Sequence, residues 1–194
     1  MPALRHIGRL AFSSCVLWGA ASIGSGVAAA EPFQITSSSF KDGTVLDKKY
    51  VGNNKSNPNC VGENVSPALS WSNPPPDTKS FAIMVIDPEG RAPAGVAHWV
   101  AYGIPASVTG FAEGEVSGPS EKYVGGKSTM NLPNYFGPCT PAGVGFHHYT
   151  FILMATDLDP KALAPGMTRE ELSQALNGHV KGSTGIIGMF GRSQ

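Results

Sequence analysis

Uninterrupted apolar runs predict most of the ordered elements of this chain. Residues 81–86 (FAIMVI) contain no polar side chain and lead directly into Asp87-Pro88, a pattern typical of a strand covered on both faces. Four other stretches of strand length are also rich in apolar residues. The first of these, residues 69–71, is ended by the triple proline at 74–76. The predicted strands are, in chain order, residues 69–71, 81–86, 98–104, 147–155 and 186–190.

One helix is predicted near the end of the chain. Thr168 and Glu171 match a capping box, in which each side chain accepts a hydrogen bond from the backbone N–H of the other residue. Leu172 and Leu176 mark one apolar face, and Asn177-Gly178 provides a stop signal. The pattern predicts a helix that starts at Thr168 and packs one side against the sheet.

A second, shorter helical turn is predicted to begin at Asp159-Pro160, with Asp as the cap and Pro at the first helical position. Strands therefore fill most of the chain and helices come last, which predicts a mainly β domain with an antiparallel sheet and short helices near the C-terminus. The long loops at 41–66 and 111–145 are where we expect a site, because binding residues concentrate on loops held by a rigid sheet.

The first 30 residues have the pattern of a secretory signal peptide. Residues 1–9 are basic, residues 10–27 carry no charge, and Ala28-Ala29-Ala30 follows. We therefore expect cleavage at that point, a mature domain at residues 31–194, and a periplasmic or secreted protein. A retained membrane helix is one alternative, although Ser and Gly dilute the apolar stretch. Lipid attachment at Cys15 is another, although only a short apolar run precedes it.

Composition narrows the class of partner. The predicted mature chain carries 12 basic and 14 acidic residues, a net charge of −2, and has no basic run. We therefore expect no nucleic-acid partner, and no membrane span in the mature chain. The numerous Gly (24) and Pro (16) residues are typical of short elements joined by long loops.

Two cysteines, Cys60 and Cys139, remain in the predicted mature chain. In an oxidising compartment an even number of cysteines is most simply explained by a disulfide, so we predict a Cys60–Cys139 bridge. The alternative is two unrelated buried thiols.

Strand parity predicts which polar side chains share a face. Since alternate residues of a strand point the same way, His147 and Tyr149 should lie on one face and His148 on the other. By the same rule, His98 should lie on the face opposite Trp99.

These polar residues, together with Asp87, could line one cavity. Imidazole N–H groups and a phenol O–H are donors suited to an oxyanion, and a carboxylate can orient one of the histidines. Each residue also has a purely structural interpretation, because strand-end histidines often satisfy local hydrogen bonds and an Asp before Pro often forms a turn. Spacing alone leaves both interpretations open.

Five blocks follow one another along the chain. They are SPALSW (66–71), SFAIMVIDPEG (80–90), AHWVAYGIP (97–105), GPCTPAGVGFHHYTFILMATD (137–157) and NGHVKGSTGIIGMFGR (177–192). Together they resemble the phosphatidylethanolamine-binding protein family, above all its bacterial branch, often labelled Raf kinase inhibitor-like. The resemblance spans nearly all of the predicted mature chain, from about Phe33 to Arg192. It implies an antiparallel Greek-key, β-sandwich-like core with a small pocket for phosphate-type anions, including phospholipid head groups.

By position, the resemblance assigns the ligand pocket to five residues of this chain. They are Asp87, His98, Pro141, His147 and Tyr149.

Three positions depart from the family pattern. Glu89 stands where the family has Asp, Thr140 replaces a Pro and adds a hydroxyl, and His148 replaces an Arg. Since His148 is predicted to point away from the pocket, we expect its substitution to affect an ion pair on the outer face more than the ligand.

The leading hypothesis is an exported binding protein, without a cofactor, that holds a small phosphate-bearing ligand. The family label also implies modulation or inhibition of a protein partner, although no sequence feature identifies one. The alternative is a metal-dependent enzyme in which Asp87, His98 and His147 form a facial triad. A serine hydrolase is not expected, since no G-x-S-x-G motif occurs in the chain.

Overall fold

Strands dominate the regular structure of residues 30–193, the part of the chain that the computed structural model describes. Every strand predicted from the sequence is present, and each is longer than predicted. The strands are β1 (Gln34–Thr36), β2 (Thr44–Val45), β3 (Leu69–Ser72), β4 (Ser80–Asp87), β5 (Val96–Pro105), β6 (Gly110–Phe111), β7 (Val124–Gly125), β8 (Gly145–Thr156) and β9 (Val180–Arg192).

The strands form two sheets that share one core. The large sheet has the order β2-β9-β8-β4-β5-β7, and the small sheet has the order β1-β3-β6. Within the large sheet, β8 returns to lie beside β4 after β5 and β7 have formed, which is the Greek-key order. Trp71 of the small sheet packs edge-on against Phe81 of the large sheet, with 5.5 Å between ring centroids. The predicted mainly β, sandwich-like fold is therefore confirmed.

The central strand β4 is covered on both faces, as its apolar run predicted. Phe81, Ile83 and Val85 point into the core between the sheets, whereas Met84 packs into a second cluster on the opposite face. Because side chains alternate along a strand, Asp87 faces the same side as the shared core but lies at its edge.

The C-terminal helix α1 (Arg169–Ala175) also matches its prediction. Thr168 accepts a hydrogen bond from the Glu171 backbone N–H, and the Glu171 carboxylate accepts one from the Thr168 N–H, which completes the capping box. Leu172 is fully buried against the second cluster.

The prediction of a second helix beginning at Asp159-Pro160 is not met. A single turn forms there, with the Ala162 N–H donating to the Asp159 carbonyl, and no helix follows. Pro165 explains the difference, because proline disfavours helical geometry in the residue before it and has no N–H to donate. A short 3-10 helix at Lys48–Tyr50, capped by Asp47, was not predicted.

The predicted signal peptide lies, apart from Ala30, outside the described residues. Within residues 30–193, no helix combines the length and the hydropathy needed to cross a membrane.

Candidate functional site

Three strand ends meet at one edge of the large sheet. Since β4 is antiparallel to both β5 and β8, the end of β4 lies beside the beginnings of the other two strands. A cavity of about 540 Å³ opens at this edge. The five residues assigned to the pocket by resemblance all line it, namely Asp87, His98, Pro141, His147 and Tyr149.

Asp87 holds His147 in one orientation. One carboxylate oxygen of Asp87 lies 2.8 Å from His147 Nδ1, and the other accepts the backbone N–H groups of Glu89 and Gly90 at 3.0 and 2.9 Å. An ionised carboxylate only accepts hydrogen bonds, so His147 donates from Nδ1 and keeps Nε2 for another partner. When Nε2 is protonated, it becomes a charged N–H donor suited to an anion.

A β-bulge re-aims His98, so the prediction that His98 and Trp99 face opposite ways is wrong. Val85 of β4 pairs with Trp99, and the following residue of β4 pairs with Ala97, which leaves His98 as an extra residue in the ladder. The His98 ring packs edge-on against Tyr149, with 5.0 Å between centroids. Tyr149 and Trp99 both belong to the core between the sheets, so the bulge puts His98 on that side.

His98 is neutral at neutral pH in this environment. Its Nδ1 lies 2.8 Å from the backbone carbonyl oxygen of Phe136, which only accepts, so Nδ1 carries the proton. Burial lowers the pKa of His98 below the ordinary histidine value and keeps the ring uncharged. The lone pair of Nε2 can therefore accept a hydrogen bond, but it cannot donate one. Neutral His98 therefore does not match the expectation that both histidines donate to an oxyanion, whereas His147 can donate from Nε2 as an imidazolium.

Tyr149 forms a hydroxyl pair with Thr140, one of the residues that departs from the family pattern. Their oxygens lie 2.7 Å apart, and either hydroxyl can donate. Burial raises the pKa of Tyr149 well above the ordinary tyrosine value, so the phenol keeps its proton. The cavity wall therefore carries two adjacent hydroxyl groups, and the Thr140 hydroxyl also donates to the Phe190 carbonyl oxygen at 3.4 Å.

Glu89 connects the cavity wall to the outer face of the sheet. Its carboxylate accepts the His148 backbone N–H at 3.1 Å and lies 2.7 Å from His148 Nδ1. Although partial burial opposes them, these hydrogen bonds lower the pKa of Glu89 to about 2, so the group is ionised. His148 lies on the outer face, as parity predicted, with 45% of its side chain exposed. That its partner Glu89 also lines the cavity was not predicted.

The predicted disulfide between Cys60 and Cys139 is present, and both cysteines line the cavity. The bridge joins the loop before β3 to the loop before β8, which are 79 residues apart in sequence. The second of these loops also carries Thr140 and Pro141, so the cross-link fixes one wall of the cavity.

Several lining residues were missed by sequence reasoning. Arg91 lies in the turn after β4 with a φ of 51°, a left-handed conformation that is uncommon for residues other than glycine. Its place in a Gly- and Pro-rich segment indicated a turn but not a wall of the cavity. The other missed residues include Asn54, Asn57, Met130, Phe136 and Val144.

The metal-binding alternative does not assemble as predicted. Among residues 30–193, the group of three candidate ligand atoms within 4.8 Å of one another is Asp87, Glu89 and His147, without His98. Asp87 and His147 are hydrogen-bonded to each other, and Glu89 is hydrogen-bonded to His148. A metal ion would have to compete with both contacts.

Comparisons with known proteins agree with this fold. The family model described as phosphatidylethanolamine-binding protein matches residues 36–191, a span that contains all five assigned pocket residues. A UPF0098 protein of Aquifex aeolicus is 33% identical over 165 residues, which cover 82% of this chain and 88% of the relative. A Mycobacterium tuberculosis protein designated lipoprotein LppC is 34% identical over 164 residues, which cover 84% of this chain and 74% of the relative.

A solved structure supports the same family assignment. Escherichia coli YbcL, described as a new member of the mammalian PEBP family, aligns with a TM-score of 0.74 and 29% identity. The alignment covers 82% of this chain and 98% of the YbcL chain. On these matches, the chain belongs to the phosphatidylethanolamine-binding protein family, in the bacterial branch that includes YbcL.

Proposed function

We propose that this protein is an exported binding protein whose cavity holds a small phosphate-bearing ligand, such as a phospholipid head group. The observation that carries the proposal is the convergence of a fixed imidazole, His147, with the hydroxyls of Tyr149 and Thr140 on one cavity. Imidazolium N–H and hydroxyl O–H groups are the donors that a phosphate oxygen needs. The volume of about 540 Å³ is also within the usual size of small-molecule sites.

The charges of the wall are compatible with an anion. The two carboxylates are already engaged, Asp87 by His147 and two backbone N–H groups, and Glu89 by His148. Arg91 adds a permanent positive charge to the lining residues. Neutral His98 would accept a hydrogen bond from a protonated phosphate oxygen, which favours a ligand that still carries one proton.

Calorimetric titration tests this proposal. We expect inorganic phosphate and phosphoethanolamine to bind and ethanolamine alone to fail, because the phosphate group makes the donor contacts. Binding of ethanolamine without binding of phosphate would contradict the proposal. Independently of the titration, native mass spectrometry of the purified protein would identify any co-purified phosphate species.

Export to the periplasm or the medium is part of the same proposal. The N-terminal pattern and the likeness to a protein designated a lipoprotein both support it. N-terminal sequencing of the exported protein should find Glu31 first. A lipid-modified Cys15, or a chain that retains Met1, would contradict cleavage after Ala30.

A further inference from the structure

One nitrogen of the cavity wall is fixed as a hydrogen-bond acceptor. His98 donates its single ring proton to the Phe136 carbonyl oxygen, 2.8 Å from Nδ1, which leaves a lone pair on Nε2. Among residues 30–193, no hydrogen-bond partner reaches Nε2, and the atom is not sealed from solvent as the indole nitrogen of Trp99 is. The cavity therefore offers its ligand an acceptor that the protein itself does not satisfy.

Burial makes this acceptor selective. Only 4% of His98 is exposed, and the ring packs edge-on against Tyr149. A ligand seated against the ring shields Nε2 from water, so a ligand that cannot donate to Nε2 leaves a desolvated acceptor without a partner. Sites of this kind reject analogues that lack the donor. Burial also lowers the pKa of His98, which keeps the ring from becoming a donor itself.

The charges of the wall favour a ligand with a single negative charge. Asp87 and Glu89 both line the cavity, and both carboxylates accept hydrogen bonds from the protein. Among the described lining residues, Arg91 is the one side chain with a permanent positive charge. Because two carboxylates stand against one permanent cation, a second negative charge on the ligand is disfavoured.

The hydroxyl pair is suited to a ligand with both donor and acceptor oxygens. Thr140 has one proton and two acceptors within reach, the Tyr149 oxygen at 2.7 Å and the Phe190 carbonyl oxygen at 3.4 Å. When Thr140 donates to Phe190, Tyr149 donates to Thr140 and leaves a lone pair for the ligand; when Thr140 donates to Tyr149, the phenol donates to the ligand. A phosphate that keeps one proton matches both arrangements, whereas a fully deprotonated anion matches only the second.

We propose that the cavity selects phosphate groups that still carry a proton, namely phosphomonoesters and inorganic phosphate, and that His98 Nε2 accepts the hydrogen bond from that proton. This inference rests on the proposed function and narrows its ligand class. A phosphomonoester keeps a proton in mildly acidic solution because its second pKa is about 6, whereas sulfate and phosphodiesters carry none. The phosphate of an intact phospholipid is a diester, so the favoured form of a head group is the free monoester, such as phosphoethanolamine.

Calorimetry with methyl phosphate and dimethyl phosphate at about pH 5.5 tests the selection in the wild type. Both anions carry a charge of about −1 there, but only methyl phosphate has a proton to donate. We expect methyl phosphate to bind at least about tenfold more tightly than dimethyl phosphate. Inorganic phosphate should exceed sulfate by a similar factor or more, since sulfate lacks the proton and carries an additional charge.

His98→Gln assigns the preference to one side chain. The glutamine amide can donate as well as accept, so the ratio of the two affinities should fall to about threefold or less. His179→Gln is the matched control, because the same substitution is made in a largely exposed ring at the far end of the β8–β9 ladder. It should keep the wild-type ratio. Circular dichroism verifies that both variants are folded.

The two proposals fail in different ways. Equal affinities of the wild type for methyl phosphate and dimethyl phosphate would overturn the selection and leave the anion pocket in place, whether or not the His98 variant folds. An undiminished ratio in folded His98→Gln would overturn the role of His98. A wild type that binds neither methyl phosphate nor inorganic phosphate would contradict the proposed function, and the selection with it.

Discussion

Two Asp–His pairs with nearly the same geometry lie at opposite ends of the β8–β9 ladder. At one end, His147 Nδ1 lies 2.8 Å from Asp87, and at the other, His179 Nδ1 lies 2.7 Å from Asp157. The environments differ far more than the distances. The side chains of His147 and Asp87 are 13% and 5% exposed, whereas those of His179 and Asp157 are 44% and 29% exposed.

The remaining contacts explain why only one pair is a candidate site. Asp157 also pairs with Lys181, and hydrogen bonds from Lys181 and His179 lower its pKa in an open, solvated cluster. The second oxygen of Asp87 is instead held by backbone N–H groups, and its histidine faces a cavity. An Asp–His pair is therefore no signature of a site by itself, since burial and a fixed orientation decide what the imidazole can do.

The largest expected effect is the loss of stability on removal of the Cys60–Cys139 disulfide, which lies at the cavity end. Replacing both Cys60 and Cys139 by Ser should lower the free energy of unfolding by about 2–5 kcal/mol, because the long enclosed loop gains freedom in the unfolded chain. Urea denaturation measures the loss, and chemical reduction of the wild type should produce a similar one. Two free thiols in the native, unreduced protein would contradict the bridge.

The carboxylates of the two pairs should differ in their contribution to stability. Asp87→Ala removes the partner of two backbone N–H groups and of the His147 ring, so we expect a loss of about 2–3 kcal/mol. Asp157→Ala should have little effect, because its partners remain in water. Equal losses for the two variants in denaturant titrations would show that burial does not separate the pairs.

The histidines of the two pairs should differ in ligand binding. His147→Ala removes a donor from the cavity and should weaken phosphoethanolamine binding by about 1.5–3 kcal/mol, which is tenfold or more. His179→Ala and His148→Ala should leave the affinity nearly unchanged, since one residue lies at the far end and the other points outward. Calorimetry on the three variants decides, and an equal loss for His147→Ala and His148→Ala would refute the assigned pocket.

The smallest expected effect is a pH dependence of the free energy of unfolding, which His98 at the cavity end should cause. The pKa of this buried histidine is lower in the folded than in the unfolded chain, so acid favours unfolding once the unfolded form takes up a proton. Stability should be complete above about pH 6.5 and decline below it, by at most about 1.4 kcal/mol per pH unit.

His98→Gln provides the control for this pH effect. It should flatten the slope, while His179→Ala should retain it because that ring is largely exposed. Stability of the wild type that rises as the pH falls from 6.5 would contradict a neutral, buried His98.

The strands and the helix could be predicted because their signals are local. The apolar run of β4 and the Thr168–Glu171 capping box depend only on neighbouring residues, and both predictions are confirmed. Strand parity also separated His147 from His148 correctly.

The details of the cavity depend on contacts that one strand cannot reveal. The bulge at His98 exists only in the register between β4 and β5, so a periodic pattern assigned the residue to the wrong face. The Phe136 carbonyl that fixes the His98 proton is 38 residues away in sequence. Glu89 was recognised as a departure from the family, but its link to His148 bridges 59 residues.

Nitrogen-15 NMR of the histidine side chains tests the central claim most directly. Phosphoethanolamine should be titrated into protein labelled at histidine, with the Nε2 resonances of His147 and His179 followed together. The account predicts a saturable shift at His147 and none at His179, because only the buried pair faces the ligand. Equal shifts at the two histidines, or a shift at His179 alone, would contradict the assignment of the cavity as the binding site.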